Sequence, residues 1–183
     1  MAYTTVDNVT LFLNKSSLST TETSLVNLLI TMLSGAINNY CGWELAAKDY
    51  EVTFDGNGTN SLDVRVYPVN ELTSLTIDDV DYTADVSLNS PDGELFFTTE
   101  SGIIFTAGKQ NVVVEFNGGY SATPDDLAYA ASWLVALNFN RITQEAIGVS
   151  EDTFNNVKVK YDPSDIPKIV KDVLDRYRRI SVY

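Results

Sequence analysis

Residues 19–42 read STTETSLVNLLITMLSGAINNYCG. The opening Ser19-Thr20-Thr21-Glu22 fits a capping box, in which a hydroxyl satisfies free backbone donors and Glu22 reaches back. Gly42 can take the left-handed conformation that ends a helix. The spacing predicts one long helix from there to about Cys41. Asn27, Thr31, Ser34 and Asn38 recur at helical spacing as one narrow polar stripe, and Leu25, Val26, Leu28, Leu29, Ile30, Met32, Leu33, Ala36 and Ile37 fill the rest. A surface helix carries a much wider polar face. Two readings stay open. The helix is either the centre of a small core, or it packs on its own core and on a neighbouring subunit as well.

Working outward, Thr5 to Asn14 predicts a short helix with Val9, Leu11, Phe12 and Leu13 as its apolar content. Beyond Gly42 the period changes to two. Leu62, Val64 and Val66 alternate with Asp63, Arg65 and Tyr67. Leu75 and Ile77 continue the pattern, Asp78-Asp79 offers a turn, and Val80 and Tyr82 follow. Ser90-Pro91-Asp92-Gly93 is a turn signal before Glu94-Leu95-Phe96-Phe97. Ile103-Ile104-Phe105, a turn at Ala107-Gly108-Lys109, and Val112 to Phe116 complete an antiparallel set. Thr123-Pro124-Asp125-Asp126 then opens a helix to about Arg141, with Thr123 as its cap and the two acids at the positive end of the dipole. A strand at Val157 to Tyr161 and a last helix starting at Asp162-Pro163-Ser164-Asp165 follow. Ile166, Ile169, Val170, Val173, Leu174 and Tyr177 supply that helix's apolar face, and the tail 178–183 reads as extended. The expected class is α+β. Residues 1–42 and 123–183 form a small helical bundle with an extended C-terminal arm, and 43–122 form an inserted antiparallel β subdomain.

Composition narrows the function. Lys and Arg number 12 against 25 Asp and Glu, so the net charge is -13. That excludes a protein that works by gripping phosphates with clustered cations. His is absent, which removes His-based triads and His metal sites, and Cys41 alone makes neither an internal disulfide nor a multi-Cys zinc site. The N-terminus lacks the basic and apolar regions of a signal peptide. The apolar stretch 25–37 is broken by Asn27, Thr31 and Ser34, short of the ~18–20 residues of a membrane span. The expectation is a soluble chain from a reducing compartment.

The clusters that could carry chemistry read as turns. Asp55-Gly56-Asn57-Gly58-Thr59-Asn60 starts like a calcium loop, but Asn60 stands where the loop needs Gly and no Glu closes it. Asp78, Asp79, Asp81 and Asp85 could serve a carboxylate hydrolase, yet they fall in a hairpin, where Asp is favoured for geometry. No glycine pair leads into a phosphate-cradling helix. No catalytic, cofactor or metal residue is therefore assigned. Charge layout says more. Over 164–183, Lys168, Lys171, Arg176, Arg178 and Arg179 face Asp165, Asp172 and Asp175, a net of +2 against -15 for the remainder. Cations at a helix C-terminus explain some of this. The alternation of Ile180 and Val182 also fits a basic arm that docks on a partner's sheet edge.

In order along the chain, several stretches resemble the head–tail connector (adaptor) proteins of tailed bacteriophages. They are 37–42 (INNYCG), Tyr67-Pro68-Val69 with Leu72 to Leu75, 112–120 (VVVEFNGGY), Thr123 to Leu127, Asn140-Arg141, 161–167 (YDPSDIP) and 174–179 (LDRYRR). The sheet of 43–122 is larger than in the compact all-helical members. The resemblance implies a structural virion protein rather than an enzyme, with no cofactor. It implies a ring, typically dodecameric, beneath the portal protein of the DNA-filled head. A stopper or tail-side neck protein would sit on the opposite surface, and DNA would pass through the lumen without specific binding or any membrane contact. Such a protein is assembled in the host cytoplasm and resides in the virion neck.

On this basis Arg178, Arg179, Ile180, Val182 and Tyr183 are the candidate portal-docking arm. Leu25, Leu29, Ile30, Met32, Leu33 and Ile37 are the candidate subunit-packing residues. Truncation after Arg176 is expected to leave a folded protein that no longer joins portal. The alternatives are another neck component, such as a stopper or tail-completion protein, and a β-rich carbohydrate-binding module that would explain the aromatics and the acidity. A hydrolase built on Asp78 or Asp79 stands behind both.

Overall fold

The computed structural model describes residues 2–144, 151–154, 157–160 and 166–178, with 151–154 and 157–160 described by their backbone alone. The chain forms two compact units, Met1–Glu44 with Thr123–Tyr183, and Leu45–Ala122. Its class is α+β, as the sequence predicts.

In the first unit, α1 (Val6–Phe12) starts at Thr5, whose side chain accepts from the amide of Asn8. Helix α2 (Thr20–Cys41) carries the expected capping box. Ser19 accepts from the Glu22 amide, Glu22 accepts from the Ser19 amide, and Gly42 closes the helix at φ 79°. Helix α3 (Asp125–Thr143) lies against both. Val9 of α1, Val26, Leu29 and Ile30 of α2, and Val135, Ala136 and Phe139 of α3 make one core. The polar stripe of α2 is divided between two environments. Asn27 and Thr31 are exposed, but Ser34 is buried and accepts from the Tyr3 amide at 3.3 Å, and Asn38 accepts from the Tyr3 hydroxyl at 2.5 Å. The N-terminal segment is thus laid into the notch those two residues leave, and Thr4 bonds to Ser132 of α3 at 2.6 Å.

Three expectations for this unit need correction. Thr123 is not the cap of α3: Pro124 holds that position and no side chain caps the helix. The last helix, α4 (Lys168–Leu174), starts at Pro167, because a proline can cap but cannot continue a helix; Ile166 precedes it and Tyr177 follows in a turn. The single strand expected at 157–161 is half of a hairpin in which Glu151–Phe154 pairs antiparallel with Val157–Lys160. The proposed helix start at 162–165 lies outside the described residues.

The second unit holds seven strands: β1 (Lys48–Gly56), β2 (Ser61–Asp63), β3 (Val69–Ile77), β4 (Val80–Asp81), β5 (Val86–Asn89), β6 (Glu94–Phe97) and β7 (Gly108–Gly118). They form one sheet in the order β1-β7-β3-β4 and another in the order β2-β6-β5, antiparallel throughout. Strand β7 is the longest of them and pairs on both edges, with β1 and β3, and Val112, Val114 and Phe116 are buried on one of its faces. Alternation outlasts the ladder after β2. Leu62, Val64 and Val66 are all buried, but Asp63 accepts from the Arg65 amide at 2.6 Å and Arg65 sits at φ 58°, which ends the pairing. Ile103 to Phe105 is not a strand. Its backbone makes two bonds with Gly58 and Thr59, and Phe105 is buried against Phe97 at 4.8 Å. Asp78 and Asp79 lie at φ 50° and 65°, the two left-handed positions of a tight hairpin turn.

The unit closes where it opens. Ala47 donates to the Tyr120 carbonyl at 3.0 Å and Tyr120 donates to the Leu45 carbonyl at 2.8 Å. Gly119 makes this possible: at φ 105°, a Cβ there would lie 2.7 Å from the Ala46 oxygen.

The α2 cap yields two tests. Ser19→Ala should lower stability by about 1 kcal/mol in a thermal melt read at the helix signal. Glu22 takes hydrogen bonds from Lys15 first and then from Ser19, which pulls its carboxyl from 4.5 down to about 2. Its contribution is therefore full above pH ~4.5 and disappears as pH falls towards ~2. The gap in melting temperature between wild type and Glu22→Gln should be largest near neutrality and close across that window. A gap independent of pH would show that the carboxylate's bonds are not the source.

Candidate functional site

The segment that follows α4 is the base of the expected arm, and specific contacts hold it. Val170 and Leu174 bury the inner side of α4. Cys41, at the end of α2, is buried with its sulfur 3.8 Å from the Leu174 carbonyl. Burial, and then the Asp175 carboxylate, push its thiol up to about 11, so it is neutral at physiological pH. Tyr40 donates to Asp175 at 2.7 Å, which raises the phenol pKa. The Trp43 indole donates to the Tyr177 carbonyl at 2.8 Å, and the Tyr177 hydroxyl donates to Asp126 of α3. Arg176 is 3.6 Å from Asp126, an exposed pair of little energetic weight. Arg178 lies over the Tyr40 ring at 5.8 Å.

Residues of α2 and α3 and the Trp43 turn therefore hold 174–178. Of the five candidate arm residues, Arg178 is placed at this anchor, while Arg179, Ile180, Val182 and Tyr183 lie outside the described residues. Sequence reasoning missed the anchor itself. Its polar contacts join positions fifty or more residues apart, and no local spacing announces them. A cut after Arg176 would also remove Tyr177, so it would damage the fold along with the arm.

The candidate subunit-packing residues of α2 divide. Leu29, Ile30 and Ile37 are buried in the unit's own core, and Leu25 and Leu33 are half-buried. Met32 is 62% exposed, and Leu28, one turn before it, is 57% exposed. Period alone could not sort these positions, because apolar residues surround the helix and only the partner helices define inside. A second apolar surface escaped the sequence reading. Phe12 lies 5.5 Å from Tyr129 and 6.5 Å from Trp133, with those two 5.9 Å apart, all partly exposed.

In the β unit the acidic groups serve geometry or line a sheet face. Asp81 accepts from the amide and hydroxyl of Thr83, which lowers its carboxyl pKa. Asp55 accepts from the Gln110 amide at 2.7 Å, and Asn57 accepts from the Thr59 amide at 2.9 Å, so the calcium-like stretch is a bonded turn. Glu51 stands opposite Glu115 in the β1–β7 ladder, and Asn117 stands between Asp49 and Glu71. Like charges directly opposite repel, so this face is costly on its own and unfavourable to any anion. Among the described residues no three acidic or Cys side chains are grouped to hold a metal ion, and no helix is long and apolar enough to cross a membrane. An open depression of about 530 Å³ lies in the helical unit, lined by Asn38, Asn39, Gly42, Trp43 and Glu44. It gathers no set of groups suited to acid–base or nucleophilic work.

Comparison with known proteins adds the rest. A family model described as "HCP: Head completion protein" matches residues 2–180. No curated protein matches the chain in sequence. Among solved structures, a chain from the neck of an empty GTA particle, computed with C6 symmetry, is similar with a TM-score of 0.54 at 14% identity. That match covers 92% of this chain and 82% of the other. A chain from the virion of a native gene transfer agent particle is similar with a TM-score of 0.52 at 16% identity, covering 100% of this chain and 96% of the other. At such identities the likeness is one of fold.

The anchor predicts the behaviour of Cys41. Alkylation at mildly alkaline pH should be slow in the folded chain. Leu174→Ala, which should cost ~2–5 kcal/mol as a buried truncation, should loosen α4 and speed Cys41 labelling markedly. Equal labelling in both proteins would mean that α4 does not cover the thiol.

Proposed function

The chain belongs to the head completion protein family, and on that premise we propose that it is a structural protein of the virion neck, a head–tail adaptor. In this reading copies form a ring, typically of twelve, beneath the portal. The C-terminal arm docks on portal, a stopper or tail-side neck protein meets the opposite surface, and DNA passes through the lumen unbound. The observation that carries the reading is a family match spanning nearly the entire chain.

The molecule's physics supports it. The -13 charge and the acidic face around Glu51 and Glu115 disfavour phosphate, as a conduit that must not hold its DNA requires. The anchored 174–178 segment gives the arm a fixed starting point, so a docking arm need lose less freedom on binding than one that begins in a loose tail. Arg178 and Arg179 supply the charge, and Ile180, Val182 and Tyr183 the alternating apolar contacts, for adding to a portal surface.

The test is a pull-down with portal rings from the same genome, imaged by negative stain. The full chain should give a ring stacked on the narrow end of the portal. The informative truncation is after Arg178, which spares the Tyr177 contacts. That protein should melt like wild type and lose portal binding by at least about tenfold. Undiminished binding would remove the arm from the interface. An intact portal that recruits no full-length protein would favour a stopper or tail-completion role instead.

A further inference from the structure

Three stretches of the helical unit contain no charged residue: 8–14, 23–43 and 127–140. Much of their length is buried, which explains neutrality on the inside but not on the outside. The outer side of α2 presents Leu28 and Met32, adjacent by helical spacing and both more than half exposed. On α3 the only exposed positions between Asp126 and Phe139 are Tyr129 and Trp133. Beside them α1 offers Phe12, packed edge-on against both rings, and Leu11 at 75% exposure. Depletion of charge with enrichment in aromatic residues and Met is the composition of the central part of a protein interface. The three rings already brace one another, so little freedom is left to lose on contact.

Charge identifies the occupant. A copy of this chain brings another -13, and two such bodies repel wherever their acidic surfaces face each other. They can meet at low cost only through surfaces with no charge on either side. A basic partner would be drawn instead to the carboxylates. The two neutral surfaces lie on different helices and differ in kind. One is aliphatic with a thioether, the other a bed of rings, and thioether on aromatic is a favourable contact. A self-complementary dimer needs one patch, whereas a head-to-tail series needs two unlike ones.

We propose that the Leu28–Met32 face of α2 in one copy seats on the Leu11, Phe12, Tyr129 and Trp133 cluster of the next. The assignment rests on the ring reading above and supplies its subunit contact.

The experiment is sedimentation of the full chain, alone and with portal rings, at low and high salt. Added salt screens the overall repulsion, so self-association should strengthen. Met32→Lys and Trp133→Lys should each weaken it by at least about tenfold, with unchanged circular dichroism, although Trp133→Lys also loses its ring contacts within the chain and should melt somewhat lower. Leu28→Lys and Leu11→Lys, both at positions more than half exposed, provide a second pair should either first variant fail to fold. Mixed in equal amounts, Met32→Lys and Trp133→Lys should restore one contact per pair and stop at a dimer, because each retains the surface the other lacks. If Trp133→Lys alone forms a stable dimer, α2 pairs with itself and the head-to-tail seat is overturned. Rings that form from all four variants as from wild type overturn the faces and leave the ring intact. A wild-type chain that stays monomeric at every salt concentration, and on portal as well, overturns the ring reading and this contact with it.

Discussion

Two backbone hydrogen bonds between Leu45–Ala47 and Tyr120 govern the architecture. They bring the entry and exit of the β unit side by side, so that the helical unit can be built from two distant stretches of chain. Without that closure α2 and α3 would be joined by a long open excursion, with a loop-closure cost that grows with its length. With it, the excursion has its own core and its own ladders, and its contribution to the separation of α2 from α3 shrinks to one residue pair. Gly119 is the residue on which this depends, since a side chain at its position would collide with the opposing backbone. The core of α1, α2 and α3, the notch for Tyr3 and the anchor around Tyr177 all follow from that arrangement.

Much of the fold was legible because it is encoded locally. A capping box, a glycine stop, a period-two pattern and Asp–Asp or Pro–Asp–Gly turns are each statements about a few neighbouring residues, and each appears where the sequence places it. The misreadings share a different cause. Ser34 and Asn38 looked like part of a solvent stripe because their partner, Tyr3, is more than thirty residues away. Ile103 to Phe105 looked like a strand because it is apolar and β-branched, yet only two backbone partners reach it. Strand β1 alternates Tyr50, Val52 and Phe54 inward with Asp49, Glu51 and Thr53 outward, a pattern interrupted in sequence by the turn residues that follow.

The exposed apolar surfaces of the helical unit were partly legible. The excess of apolar residues on α2 left open whether the helix packs only in its own core or on a neighbouring subunit as well, and did not say which positions face outward. Burial resolves that, leaving Leu28 and Met32 outside while Leu29, Ile30 and Ile37 go in. The aromatic cluster could not be found from spacing alone, since it combines one residue of α1 with two of α3. Composition and structure together locate where charge is missing: the 25 carboxylates are shared between the two units, while the helical unit also keeps long neutral runs.

The core shared by Val9, Val26, Leu29, Ile30, Val135, Ala136 and Phe139 has a consequence for synthesis. The first two helices leave the ribosome well before α3 exists. At ~5–20 residues per second, α2 waits on the order of 5–20 s for the helix that covers it. During that time its apolar side is uncovered, and the charge-free run from 23 to 43 offers no electrostatic protection against a neighbouring nascent chain. The β unit, complete in sequence before α3, can fold in the interval. Order of emergence thus favours a β unit that finishes first and a helical unit that closes last, when α3 draws α1 and α2 together around Phe139.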